Sequence, residues 1–161
     1  ASDAAHFFHL LFTNQLLSAS TVTMMSQWSP FTAGFAADCK GKADRTCMQY
    51  GLGVMKLPYV YPSTGACTSP ADCLCDPATG KCDVVIDLYG HLGEDWGSSM
   101  MLAGYLPQFN VSVGAGIGSQ FGMNSTMDAR ANAAAGNALQ CPVLQAIART
   151  LKPSFPAFEC S

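Results

Sequence analysis

His91, Glu94 and Asp95 fall within one short run, Gly90-His91-Leu92-Gly93-Glu94-Asp95-Trp96. An imidazole beside two carboxylates can serve as a general base or hold a cation. The run follows an apolar stretch read as a strand and precedes a stretch read as a helix, which is where α/β folds place ligands. The plainer alternative makes Glu94 and Asp95 the acidic first turn of that helix and His91 a solvated loop residue, and it carries more weight. His6 and His9, three apart on a candidate helix, could share a face toward a metal, but read better as terminal, partly exposed histidines. No GxSxG marks a nucleophile elbow. Gly114-Ala115-Gly116-Ile117-Gly118 lacks the last glycine of a dinucleotide-binding loop. No catalytic residue and no cofactor is assigned, and an enzyme built on His91 ranks last among the functions considered.

The cysteines say more. There are eight: Cys39, Cys47, Cys67, Cys73, Cys75, Cys82, Cys141 and Cys160. An even count, four of them within residues 67–82, points to four disulfides formed in an oxidising compartment. Zinc is the competing use of such residues, but no paired CxxC or Cys/His knuckle is present. Connectivity stays open. Asn110-Val111-Ser112 and Asn124-Ser125-Thr126 are both acceptor sequences for N-glycans, so Asn110 and Asn124 are expected to carry sugar. The start at Ala1 fits a processed mature chain. Together these features predict a secreted or lumenal glycoprotein.

The segment Cys73-Leu74-Cys75-Asp76-Pro77-Ala78-Thr79-Gly80-Lys81-Cys82 resembles the closing hairpin of an EGF-like or laminin-type module, with Asp76-Pro77 and Thr79-Gly80 as turn residues. The likeness covers these residues alone and departs upstream, where 19 residues separate Cys47 from Cys67. It implies a disulfide-clipped hairpin and no transferred function. The strand–loop–helix reading around His91 is also similar, faintly, to the start of a thioredoxin-type unit. Such a unit implies a CxxC pair for thiol exchange, and residues 91–96 hold no cysteine.

Charge is segregated along the chain. Residues 4–37 and 96–127 contain no Asp, Glu, Lys or Arg, and 13 of the 19 charged side chains lie between Asp38 and Asp95. A soluble chain ordinarily spreads charge over roughly a quarter of its residues, so both uncharged stretches read as surface to be covered. A net charge of −3 with eight Lys plus Arg supplies no basic patch for nucleic acid. The expected partners are protein subunits, with an apolar small molecule (a lipid or pigment) as the alternative ligand.

These residues need elements to position them. Residues 5–28, without Pro or Gly, read as one helix, apolar on nearly all sides. Phe8, Leu11, Phe12, Leu16, Leu17, Met24, Met25 and Trp28 are its candidate interface, and a charge such as Asp at Leu11 and Leu17 should break the assembly. A membrane span is the lesser reading, because polar residues interrupt the run and no basic residues flank it. Residues 38–83 read as a cysteine-rich loop segment with one extended run at 54–61. Residues 84–89 read as a buried strand, 94–105 as a helix and 109–113 as a strand leading into a glycine turn at 114–118, a βαβ-like unit. Two helices follow, at 126–140 and 142–152, the latter with Val143, Leu144, Ile147 and Leu151 on one face. The expectation is a single α+β domain over 1–161, helix-rich, divided into an apolar N-terminal helix (1–37), the cysteine-rich segment (38–83) and a mixed region (84–161). The function expected of it is that of a structural or interaction subunit.

Overall fold

Val84, Val85, Ile86 and Leu88 are completely buried, and the strand that carries them is the spine of the molecule. A continuous apolar run of this kind marks a strand covered on both faces. The computed structural model describes residues 2–30, 44–95, 99–118 and 140–160. The strands are β1 (Ser29–Pro30), β2 (Gln49–Tyr50), β3 (Met55–Pro62), β4 (Cys73–Cys75), β5 (Cys82–Asp95), β6 (Ser99–Leu106) and β7 (Val111–Gly118). They form one antiparallel sheet in the order β1-β2-β3-β5-β6-β7. The long β5 meets β3 along one edge and shares the other between β4, at Cys82–Val84, and β6, from Tyr89 onward. Two backbone and side-chain bonds close the gap between β4 and β6: Val85 N–H donates to the Asp72 carbonyl, and the Gln108 amide donates to the Val85 carbonyl.

The helices lie on opposite faces of this sheet. One face of β3 and β5 carries Met55, Leu57, Tyr61, Val84, Ile86 and Leu88 at alternate positions. It is covered by the helix at residues 140–151 (α3) through Cys141, Leu144 and Ala148, and by Phe155 and Phe158 of the C-terminal tail. Ile147 packs against this core, while Val143 and Leu151 are exposed instead of sharing the buried stripe. The other face receives α1 (Ser2–Phe12) and α2 (Ala19–Met25), which bury Phe8, Leu11 and Val22 against Val54 and Ala103.

Three expectations need correction. The single helix over residues 5–28 is two helices. Asn14 adopts φ 61°, its N–H donates to the Leu11 carbonyl and Gln15 N–H donates to the Leu10 carbonyl, so α1 ends in a Schellman motif with Asn at the left-handed position. Ser18 then caps α2 by accepting from Thr21 N–H. The polar residues that seemed to interrupt one helix are the stop of the first and the start of the second.

The helix expected at 94–105 is also absent. Glu94 and Asp95 end β5, and residues 99–106 are β6, so the βαβ-like unit is an antiparallel meander of β5, β6 and β7 and the chain is not helix-rich. Met100, Met101, Leu102 and Ala103 are all good helix formers, but intrinsic propensity amounts to only tenths of a kcal/mol per residue and long-range pairing overrides it. Gly90 and Gly104 are directly paired, and a Cβ on Gly104 would sit 2.7 Å from Leu88 Cγ and 2.8 Å from the Tyr89 carbonyl oxygen. Only glycine lets the sheet and its core close at that point. The third correction is that Gly114, Gly116 and Gly118 belong to β7 and not to a turn; the turn is at residues 107–110. The helix expected at 126–140 lies outside the described residues except for its last position.

Candidate functional site

The N-terminal helical pair presents two kinds of apolar residue. Phe8 and Leu11 are buried on the sheet, and Phe12, Met25 and Trp28 are half-buried, with Phe12 against Tyr89 and Tyr105 and Trp28 against Tyr89 at ring separations of 5.0–5.6 Å. Leu16, Leu17 and Met24 point away from that core, with 46 %, 40 % and 51 % of their surface exposed. Phe7, which the helix reading did not single out, is 51 % exposed. Leu52 adds another exposed apolar side chain beside the end of α2, where its N–H donates to the Met25 carbonyl. Five of the eight candidate interface residues thus pack wholly or partly on the chain's own sheet and three face outward. Leu11, as core, is no place to test an interface by a charge.

His91, Glu94 and Asp95 all lie on β5 and not at a strand-to-helix junction. His91 is an exposed residue of β5, and its Nε2 lies 3.0 Å from the Tyr50 hydroxyl. Glu94 and Asp95 stand further along the same strand, at positions paired with Met100 and Ser99. Neighbouring strand positions alternate between faces, so no helix N-terminus gathers the three. Among the described residues no group of three or more His, Cys, Asp or Glu side chains is placed to hold a metal ion.

Among the described residues, three disulfides join Cys67 to Cys73, Cys75 to Cys82 and Cys141 to Cys160. Cys47 is buried, and Cys39 lies outside the described residues. The expected clipped hairpin is present: Cys75 and Cys82 are directly opposed on β4 and β5. Several disulfides indicate an oxidising compartment. No helix of the described residues is long and apolar enough to cross a membrane. Asn110 is exposed in the turn between β6 and β7, at φ 53°, and its Oδ1 accepts from the Tyr105 hydroxyl at 2.9 Å. Asn124 lies outside the described residues.

Sequence reasoning missed the buried Lys56–Asp87 pair. Lys56 Nζ lies 3.3 Å from Asp87 Oδ2, with side chains only 15 % and 12 % exposed. Burial pushes the Asp87 carboxyl above its ordinary range, and the Lys56 charge and hydrogen bond, with Arg45 nearby, offset only part of that. Among the described residues Asp87 Oδ1 has no hydrogen-bond partner. Burial, then the Asp87 charge and then Tyr105, raise the neighbouring Tyr89 hydroxyl. The signal was legible: Lys56 in Met55-Lys-Leu-Pro58 and Asp87 in Val85-Ile-Asp-Leu88 are single charges inside apolar strand runs. The chain matches no protein-family model and no curated protein sequence.

Proposed function

We propose that this protein is a secreted or lumenal interaction subunit that docks through the outward side of α1, α2 and the turn between them. One observation carries the reading: the helical pair already buries Phe8, Leu11 and Val22 on its own sheet, yet leaves Phe7, Leu16, Leu17 and Met24 outside. These residues lie in a 34-residue stretch, 4–37, without a charged side chain. An uncharged apolar surface suits an uncharged apolar protein surface, and monomers seldom leave such patches bare. The described helices lie on opposite faces of the sheet, which lends no support to a ligand cavity enclosed by helices.

Leu17→Asp with Met24→Asp tests the reading. Each charge would cost several kcal/mol if buried in a contact and little if it faces water. By light scattering, the unmodified protein should reach at least twice the mass of one chain, whose polypeptide is 16.9 kDa, or carry a co-purifying protein, and the variant should fall to the mass of one chain with its near-ultraviolet circular dichroism retained. An unmodified protein that runs as a bare monomer at all concentrations would overturn it.

A further inference from the structure

We propose that the Cys75–Cys82 disulfide is a reversible thiol-exchange site that takes a small thiol of the glutathione class. The two cysteines are directly opposed at the ends of β4 and β5, and Cys75 is exposed and Cys82 half-exposed. Among the described residues, each of the other two bridges has one buried partner, Cys73 or Cys141, so an incoming thiolate is shielded from one side of the bond. Access is a main determinant of exchange rate.

The loop that the bond closes does not depend on it. Asp76 N–H donates to the Lys81 carbonyl and Gly80 N–H to the Asp76 carbonyl, each at 2.8 Å. The Asp76 carboxylate accepts from Ala78 N–H and from the Thr79 hydroxyl, also at 2.8 Å, and these bonds hold its carboxyl below the usual range. Gly80 supplies the left-handed turn residue at φ 68°. On the Asp72 side, the segment stays anchored by the Cys67–Cys73 bridge, the Lys152–Asp72 ion pair and the Val85-to-Asp72 backbone bond. Opening Cys75–Cys82 therefore leaves the two sulfurs facing each other.

The chemistry balances with thiol alone. A thiolate attacks Cys75 Sγ, forming a mixed disulfide as the Cys75–Cys82 bond breaks and its electron pair leaves on Cys82 Sγ. Lys81, exposed and adjacent to Cys82 in sequence, puts a positive charge on the same loop as the leaving sulfur. The Cys82 thiolate can return to Cys75 and expel the small thiol, or a second thiol can displace Cys75, leaving two protein thiols and an oxidised thiol dimer.

The test exposes the native full-length protein to reduced glutathione, traps thiols with iodoacetamide and maps peptides over time. Cys82 should be alkylated and Cys75 should carry glutathione while the Cys67–Cys73 and Cys141–Cys160 peptides stay oxidised and the circular dichroism is unchanged. Asp76→Ala loosens the loop and should raise the trapped mixed disulfide severalfold by slowing reclosure; Lys81→Glu should slow opening severalfold. Another bridge opening first, no opening before the fold is lost, or rates unmoved by both substitutions would each overturn the assignment.

Discussion

Removing either partner of Lys56–Asp87 should be costly in a way that depends on pH for one partner alone. Both side chains are more than four-fifths buried at a separation of 3.3 Å. Breaking a buried ion pair leaves an uncompensated charge and costs about 3 kcal/mol. For a chain of this length that lowers the melting temperature by roughly 6–12 °C, at about 2–4 °C per kcal/mol. Asp87→Asn strands the Lys56 ammonium, a charge that acid cannot remove, so lowering the pH should not restore the loss. Lys56→Met strands Asp87, a group that can take up a proton. Its folded-state pKa is already raised by burial and rises further without Lys56, so the folded state holds the proton more tightly than the unfolded chain. Stability should then fall as pH rises from the unfolded value of about 4 through the higher folded value, and be restored below about 4. Replacing both together, Lys56→Met with Asp87→Leu, should recover most of the loss, because well-packed apolar pairs often match buried ion pairs. Thermal unfolding of the three variants across acidic and neutral pH reads all of this. Single variants that each cost less than about 0.5 kcal/mol, the range of an exposed pair, would refute the burial.

Other outcomes follow from the same structure. Gly104→Ala forces a methyl against Leu88 and the Tyr89 carbonyl and should cost about 1–3 kcal/mol in chemical denaturation; a neutral result would place β6 elsewhere. Alkylation of the unfolded, unreduced protein should find no reactive thiol, which requires that Cys39 and Cys47 also be oxidised; two labelled cysteines would contradict the fourth bridge. Peptide mapping of natively sourced protein should find sugar on Asn110, which sits exposed in a turn, and an unmodified Asn110 would remove that support for a secretory route.

The sequence was most legible where burial was two-sided or the turn chemistry local. Val84 to Leu88 announced a covered strand, and Cys75 to Cys82 carried its own turn residues. The helix at 142–152 was placed to within one residue at its end, because the apolar spacing and Pro153 just beyond are local signals. It failed where a distant partner decides the state. Nothing within residues 94–105 shows that Gly104 must lie against Gly90, so acidic residues followed by Met-Met-Leu-Ala imitate a helix start. In the N-terminal stretch the apolar residues outweighed Asn14 and Ser18, although those two side chains end one helix and begin the next. The helix start expected to carry Glu94 and Asp95 failed for the same reason: residues 91–95 continue β5, so these positions follow a strand's alternation.

The central claim is that one side of the N-terminal helical pair is core and the other is a contact surface. Placing a photoreactive amino acid at Met24, and separately at Val22, tests it most directly. Val22 belongs to the buried cluster with Phe8, Leu11, Val54 and Ala103, and should yield cross-links within the chain only. Position 24, on the same helix but 51 % exposed, should yield a covalent product with a second polypeptide, abolished by Leu17→Asp. No intermolecular product from position 24, or equal products from positions 22 and 24, would contradict the account.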